Sequence, residues 1–377
     1  MANRSASEST PEVLFYISGH GFGHASREVE IINALGKARS DIHLVIRSAV
    51  SPGLLARTLT VPYELRPGPC DSGIVQSSSV THDDEATVQA AIEYFGNWES
   101  HIDAEVKDLG ASRPAAIVAD IPPVAFEVAA RTGVPSFAIS NFTWDWIYET
   151  HPGMTGAAPW IVPLIQNAYR KASHALELPF SGGFDVFPRR QPLPLVARHP
   201  TRTRQDTRGH FGLPHDRPAV LLSFGGYGLA ELNLHEVDCL DRWTVVTTDR
   251  ITPQGPPVPD GVVYVVESAF VGSGFRYEDL VAAVDVVLTK PGYGIVAECV
   301  ATGTAMLYTS RGQFREYGVL VEGLHRFARS WFLPQADLFA GRWRAALDAL
   351  VDQAAPAERM AADGAAVAAR LISDAAR

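Results

Sequence analysis

Short apolar runs bounded by turn residues recur along the first half of the chain at residues 13–18 (VLFYIS), 43–46, 115–119 and 136–139. The stretches between them, among them 25–35, 87–109 and 124–132, repeat apolar residues at helical spacing. Runs apolar on both faces and separated by helices predict parallel strands covered on both sides. After a segment at 195–218 in which Pro, Arg and His crowd together, the same alternation restarts with strands at 219–223, 244–248, 262–266, 286–289 and 305–308. The predicted organisation is therefore an N-terminal Rossmann-like domain over 11–200 and a C-terminal one over 201–355. The tail at 356–377 reads as a helix packing back on the first domain.

Length agrees with two cores, because 377 residues exceed what one hydrophobic core usually serves. A hydrophobic fraction of 46% with 20% charged residues is that of a folded chain. The net charge of −10 argues against a nucleic-acid partner, whose phosphates are held by clustered Lys and Arg. The Arg-dense stretch from Arg198 to Arg208, which also holds Asp206, reads as a solvated linker. Cys70, Cys239 and Cys299 are too far apart for a zinc or redox pair, which fits a reducing cytoplasm. The polar opening has no apolar signal core, and no stretch reaches the roughly 20 apolar residues of a membrane span.

Open parallel sheets bind ligands beyond the carboxyl ends of their strands, which singles out three turns. Gly19-His20-Gly21-Phe22-Gly23-His24 follows the first strand, and its imidazoles suit general-base chemistry. A dinucleotide turn fits it poorly, since histidines stand where small residues belong. A metal held by His20 and His24 is disfavoured by Gly21 and Gly23, which interrupt a helix; a purely structural loop is the other bland reading. Lys290-Pro291-Gly292-Tyr293-Gly294 precedes a helix, whose free N–H groups suit a diphosphate. Glu298, one turn on, can accept from ribose hydroxyls; taken alone it reads as a solvated helix carboxylate. Phe224-Gly225-Gly226 is a second glycine loop on the same sheet.

Together these residues resemble the GT-B glycosyltransferases, and especially the glycosyltransferase-like N-terminal region of plant L-arabinokinases. The shared wording is GHGFGH at 19–24, DSGIVQ at 71–76, NFTWDWIY at 141–148, FGG at 224–226 and KPGYGIVAE at 290–298. The resemblance runs from about residue 13 to 327. The kinase half of those plant proteins has no counterpart, so sugar-kinase activity is not expected. A more distant similarity extends to the transferase that glycosylates lipid-linked muramyl peptide and to plant-type UDP-glycosyltransferases.

The resemblance implies an α/β fold with two Rossmann-like domains whose parallel sheets face across a cleft. It implies transfer of a sugar from a nucleotide donor, a UDP-sugar in the first instance, to an acceptor hydroxyl, with inversion and without a metal or cofactor. His20 or His24 is the base, and the sequence leaves the choice open. Asp120 is its carboxylate partner, or else only a helix cap before Pro122 and Pro123. Gly225, Gly226, Lys290, Gly292 and Gly294 cradle the diphosphate, Glu298 the ribose and Glu316 the donor sugar. Phe314-Arg315-Glu316-Tyr317 stands where the relatives carry an acidic residue and Gln, which leaves the donor sugar open. Asn141, Trp144 and Asp145 recognise acceptor or sugar, unless Trp144 and Trp146 merely pack in the core. Two other outcomes keep the fold: a sugar-nucleotide epimerase, and a module that binds the nucleotide sugar without chemistry.

Overall fold

The computed structural model describes residues 10–20, 22–75, 82–110, 113–225, 232–248, 258–310 and 314–376. Their contacts divide into two units. The described residues of 10–75, 84–196 and 363–376 form unit 1, and those of 82–83 and 197–362 form unit 2.

Unit 1 is built on a seven-stranded sheet of β1 (Glu12–Ile17), β2 (His43–Ser48), β3 (Glu64–Pro67), β4 (Ala116–Asp120), β5 (Ser136–Phe142), β6 (His174–Gly182) and β7 (Arg190–Pro192). Its spatial order is β3-β2-β1-β4-β5-β6-β7, with every pairing parallel. The order reverses direction between β1 and β4, the place where a sheet of this kind opens a crevice at its carboxyl edge. Ile17 and Asp120 are register partners there. β4 and β5 are buried along their whole length, as two-sided coverage requires.

The helix Phe22–Ala38 follows β1 and buries Ala25, Val29, Ile32 and Leu35, a stripe at helical spacing, in the unit's core. The helix Gly364–Ala375 adds Ala368, Ala369 and Ile372 to that same core. Its entry is fixed by the Gly364 N–H, which donates to the Leu195 carbonyl at 3.0 Å, beside a bridge joining Val196 and Asp363. No side chain fits at Gly364, where a Cβ would lie 2.2 Å from the Pro194 carbonyl oxygen.

Unit 2 carries six parallel strands, β8 (Ala219–Ser223), β9 (Thr244–Thr247), β10 (Val262–Tyr264), β11 (Val286–Thr289), β12 (Ala305–Tyr308) and β13 (Ser330–Phe332). Their order is β10-β9-β8-β11-β12-β13, reversing between β8 and β11. The unit's core gathers Trp243 and Trp343 with the strand residues Val220, Leu222, Val286 and Leu288.

The Arg-rich stretch differs from its expectation as a solvated linker. Residues Arg204–Phe211 form a helix, started by the Thr203 side chain accepting from the Asp206 N–H and ended by Gly212 in the left-handed region. Arg208 is buried, its guanidinium donating to the carbonyls of Ala283 and Pro214 and to Asp285. Fixed acceptors from distant segments outweigh hydration here, and local charge density does not show them. The predicted helix over 87–109 is likewise two helices, Asp84–Gly96 and Trp98–Leu109, separated at Asn97. Among the described residues, no helix is long and apolar enough to cross a membrane.

Candidate functional site

The reversal between β1 and β4 places three side chains in contact. His24 lies in the first turn of the helix after β1, and Asp120 closes β4. The His24 Nδ1 lies 2.9 Å from Asp120 Oδ1. Arg27, three residues along the same helix, grips both oxygens: its Nε donates to Oδ2 at 2.7 Å and its Nη2 to Oδ1 at 2.8 Å. The Ser140 hydroxyl on β5 donates to Oδ1 at 2.9 Å. Burial alone would raise the Asp120 carboxyl, but Arg27 and His24 outweigh it and hold the group below its usual range. Asp120 is thus an ionised anchor with its charge already matched by a guanidinium, and not a mere helix cap.

A second imidazole has a second carboxylate. His20 Nε2 lies 3.4 Å from Asp71 Oδ1, and the Trp144 indole N–H donates to Asp71 Oδ2 at 2.9 Å. The DSG segment that supplies Asp71 is clamped from the helix Trp144–Glu149. Trp144 holds Asp71, and Tyr148, one turn later, donates to the Gly73 carbonyl at 2.7 Å and meets the Ser72 hydroxyl at 3.1 Å. Gly73 adopts a positive φ of 55°, and a Cβ there would lie 2.0 Å from His20 Cδ2. Glycine is required twice over, once by the backbone and once by the ring that rests on it.

The three residues expected to recognise acceptor or sugar are buried and partnered within the protein. Asn141 accepts from Arg27 Nη1 at 2.5 Å and donates to the Pro179 carbonyl at 2.6 Å. Trp144 is 3% exposed, so its face packs in the interior while its N–H serves Asp71. The Asp145 carboxyl is pushed up by burial, against hydrogen bonds from Thr143 and Gln166. Asn141 thereby braces Arg27, and Trp144 braces Asp71.

Glu28 had no signal in the sequence. It sits one turn after His24, fully buried, with neither carboxyl oxygen hydrogen-bonded among the described residues. Burial, then the nearby Asp120, raises its carboxyl well above the usual range, which favours the neutral acid. Arg27 and Asp71 were also unassigned, Asp71 having entered only as a letter of a shared motif. Their partners lie 93 and 73 residues away, beyond any local pattern.

In unit 2 the reversal between β8 and β11 brings the two glycine loops to one edge. Ser223 and Thr289, the residues before them, are register partners, and the Thr289 hydroxyl donates to the Ser223 carbonyl. Gly225 follows with a positive φ of 73°. Gly226 lies outside the described residues. Lys290 is half-buried, Gly292 caps the helix Tyr293–Thr302, and Gly294 lies in its first turn.

Glu298, on that helix, is 2% exposed, and its Oε1 takes both the Nε of Arg198, at 2.6 Å, and the Nη2. Glu278 stands 3.5 Å from Arg198 Nη1. Burial works against the Arg198 charge, yet the two carboxylates outweigh it and hold the guanidinium firmly protonated. Glu316 begins the helix Glu316–Phe327 and is buried.

No family model matches the chain. It is 28% identical over 353 residues to L-arabinokinase of Arabidopsis thaliana, a match that covers 93% of this chain and 33% of that protein. The chain therefore spans about a third of the length of that relative. Among solved structures, the glycotransferase of kitacinnamycin superposes with a TM-score of 0.64 at 18% identity, covering 97% of this chain and 100% of that one. The UGT2 of Phytolacca americana, complexed with UDP-2-fluoro-glucose and pterostilbene, gives 0.61 at 14% identity, covering 97% and 94%. A UDP-glucosyltransferase of Polygonum tinctorium that glucosylates indoxyl gives 0.60 at 14%, covering 99% and 100%. The fold is GT-B, two Rossmann-like units each with a parallel sheet.

Proposed function

We propose that this chain is a glycosyltransferase that moves a sugar from a nucleoside diphosphate, a UDP-sugar in the first instance, to an acceptor hydroxyl. The observation that carries the reading is the pair of imidazole–carboxylate contacts at the carboxyl edge of β1 and β4. Such a contact fixes the imidazole tautomer and stabilises the cation formed when it takes a proton. A fold shared with sugar transferases supports the substrate class. The UDP-sugar analogue bound by the Phytolacca neighbour supports the base.

In the proposed step an imidazole takes the acceptor's proton as its oxygen attacks the anomeric carbon. The bond from that carbon to the diphosphate oxygen breaks on the opposite side, so configuration inverts, and the electron pair leaves with the nucleoside diphosphate. The leaving group is assigned to Lys290 and the N–H groups at Gly292–Gly294, and Gly225 and Gly226 are assigned to the same diphosphate. These donors balance the developing charge without a metal. Glu298 is assigned to the ribose and Glu316 to the donor sugar.

Thermal unfolding with UDP-, dTDP-, GDP- and ADP-sugars tests the reading. A donor at 100 times its dissociation constant adds about 2.7 kcal/mol of stability. A melting temperature unmoved by millimolar amounts of every one of them would sink the proposal, and a rate abolished by EDTA would remove its metal-free form.

A further inference from the structure

We propose that His20, oriented by Asp71, is the base that takes the acceptor's proton, and that the His24–Asp120–Arg27 cluster is its rigid support. This rests on the glycosyl-transfer reading and assigns its central step to one side chain.

The two carboxylates differ in what already neutralises them. Asp120 receives two N–H groups of Arg27 and the Ser140 hydroxyl in addition to His24. A proton taken up by His24 would set its imidazolium against a guanidinium nitrogen 3.1 Å away, and like charges at that range repel. Asp71 has no arginine or lysine paired with it among the described residues. Its one hydrogen bond comes from a neutral indole, and its buried Oδ1 has no hydrogen-bond partner among the described residues, only His20 Nε2 at 3.4 Å. A proton gained by His20 therefore meets an uncancelled negative charge.

Access separates the rings in the same direction. The His20 side chain is 32% exposed and that of His24 7%, and a base must touch the incoming hydroxyl. The seat of His20 is also elaborately built for a loop residue. Gly73 leaves room for the ring, Trp144 orients the carboxylate, and Tyr148 ties down the loop that carries both. A solvated loop histidine needs none of these contacts.

The ring nitrogens follow. His20 turns Nε2 toward Asp71, so Nε2–H is the donor and Nδ1 carries the lone pair. His24 Nδ1 instead faces both an acceptor, Asp120 Oδ1, and a donor, Arg27 Nη2. In the reaction the acceptor's proton passes to His20 Nδ1 while the oxygen bonds to the anomeric carbon. The 3.4 Å gap to Asp71 closes to a charge-assisted hydrogen bond, as loose contacts in an empty site do when a ligand arrives. His20 is the catalytic residue and Asp71 a positioning residue.

Nitrogen-15 shifts of the histidine rings test the pairing without any substrate. The expected result is Nε2–H at His20, and Nδ1–H at His20 overturns the proposal. Release of UDP from UDP-glucose, UDP-galactose and UDP-N-acetylglucosamine, with sugar and phenolic acceptors, tests the step itself. His20→Gln and Asp71→Asn are expected to lower kcat by about 10²–10⁴-fold, the range of a lost general base, with the donor KM within about threefold. Asp71→Asn still offers Trp144 an oxygen, so a purely structural role would leave kcat near the wild-type value. Turnover that survives both substitutions and disappears in His24→Gln overturns this assignment while leaving glycosyl transfer intact. No turnover by the wild type with any donor overturns both.

Discussion

Each unit sets an arginine against a buried carboxylate beside its central strands, and the two pairs are made differently. In unit 1, Arg27 and His24 share one helix, Asp120 ends the adjacent strand, and Ser140 and Asn141 complete the shell from β5. In unit 2, Arg198 comes from the segment leading into the unit and reaches Glu298 a hundred residues on, with Glu278 as a second carboxylate. Arg27 is 6% exposed and Arg198 21%. The first cluster is closed on itself and held by neutral neighbours. The second is partly open to water, and two acids divide one guanidinium. The same chemistry thus gives a rigid anchor in one unit and a more screened contact in the other.

Breaking the tighter pair should have the largest effect. Arg27→Met leaves Asp120 ionised and buried and is expected to cost about 3–5 kcal/mol at pH 7, read from urea unfolding. Because the Asp120 carboxyl is held low in the folded state, its contribution is complete above the ordinary carboxylate range. It is lost as the pH falls through the lowered value. The gap between wild type and variant should therefore shrink below about pH 4. A gap as wide at pH 3 as at pH 7 would mean that charge is not what Arg27 supplies.

Arg198→Met should cost less, roughly 2 kcal/mol, since hydrogen bonds to charged groups are worth about 1.5–3 kcal/mol and water screens this one in part. A loss equal to that of Arg27→Met would erase the contrast between the units.

Glu28→Gln should move stability the other way near pH 7, raising it. The folded state holds this carboxyl above its ordinary value, so its cost is absent below that ordinary value and grows as the pH rises toward the raised one. The gain in melting temperature should accordingly widen from pH 5 to pH 8. A gain independent of pH would show that Glu28 is not held as a neutral acid.

What could be read from the sequence was what local pattern encodes. β1, β4, β8 and β11 are short apolar runs ending in turns, and the parallel order of the sheets follows from helices separating them. Asp120 was legible as a histidine's partner through the family resemblance and its place at the end of β4, while the choice of His24 over His20 as the histidine it touches was not. Arg27 was hidden because a helical arginine ordinarily faces water. Arg208 was hidden for the same reason, and Arg198, which lies outside any helix, by the prolines and charges around it, so the stretch was expected to be solvated. The edge strands β7 and β13 have three residues each, too few to display a period of two. Trp144 could be assigned to ligand or core with equal justice until the Asp71 hydrogen bond showed an interior residue with a polar errand.

The helix Gly364–Ala375 completes the same apolar layer as the helix Phe22–Ala38, with all of unit 2's strands encoded between them. On the ribosome, where synthesis runs at about 5–20 residues per second, unit 2 can close while the first-made sheet still lacks one wall. Maturation of the histidine-bearing half thus waits on synthesis of the helix Gly364–Ala375, and a nascent chain stalled before residue 363 would expose a greasy seam fit for chaperone capture.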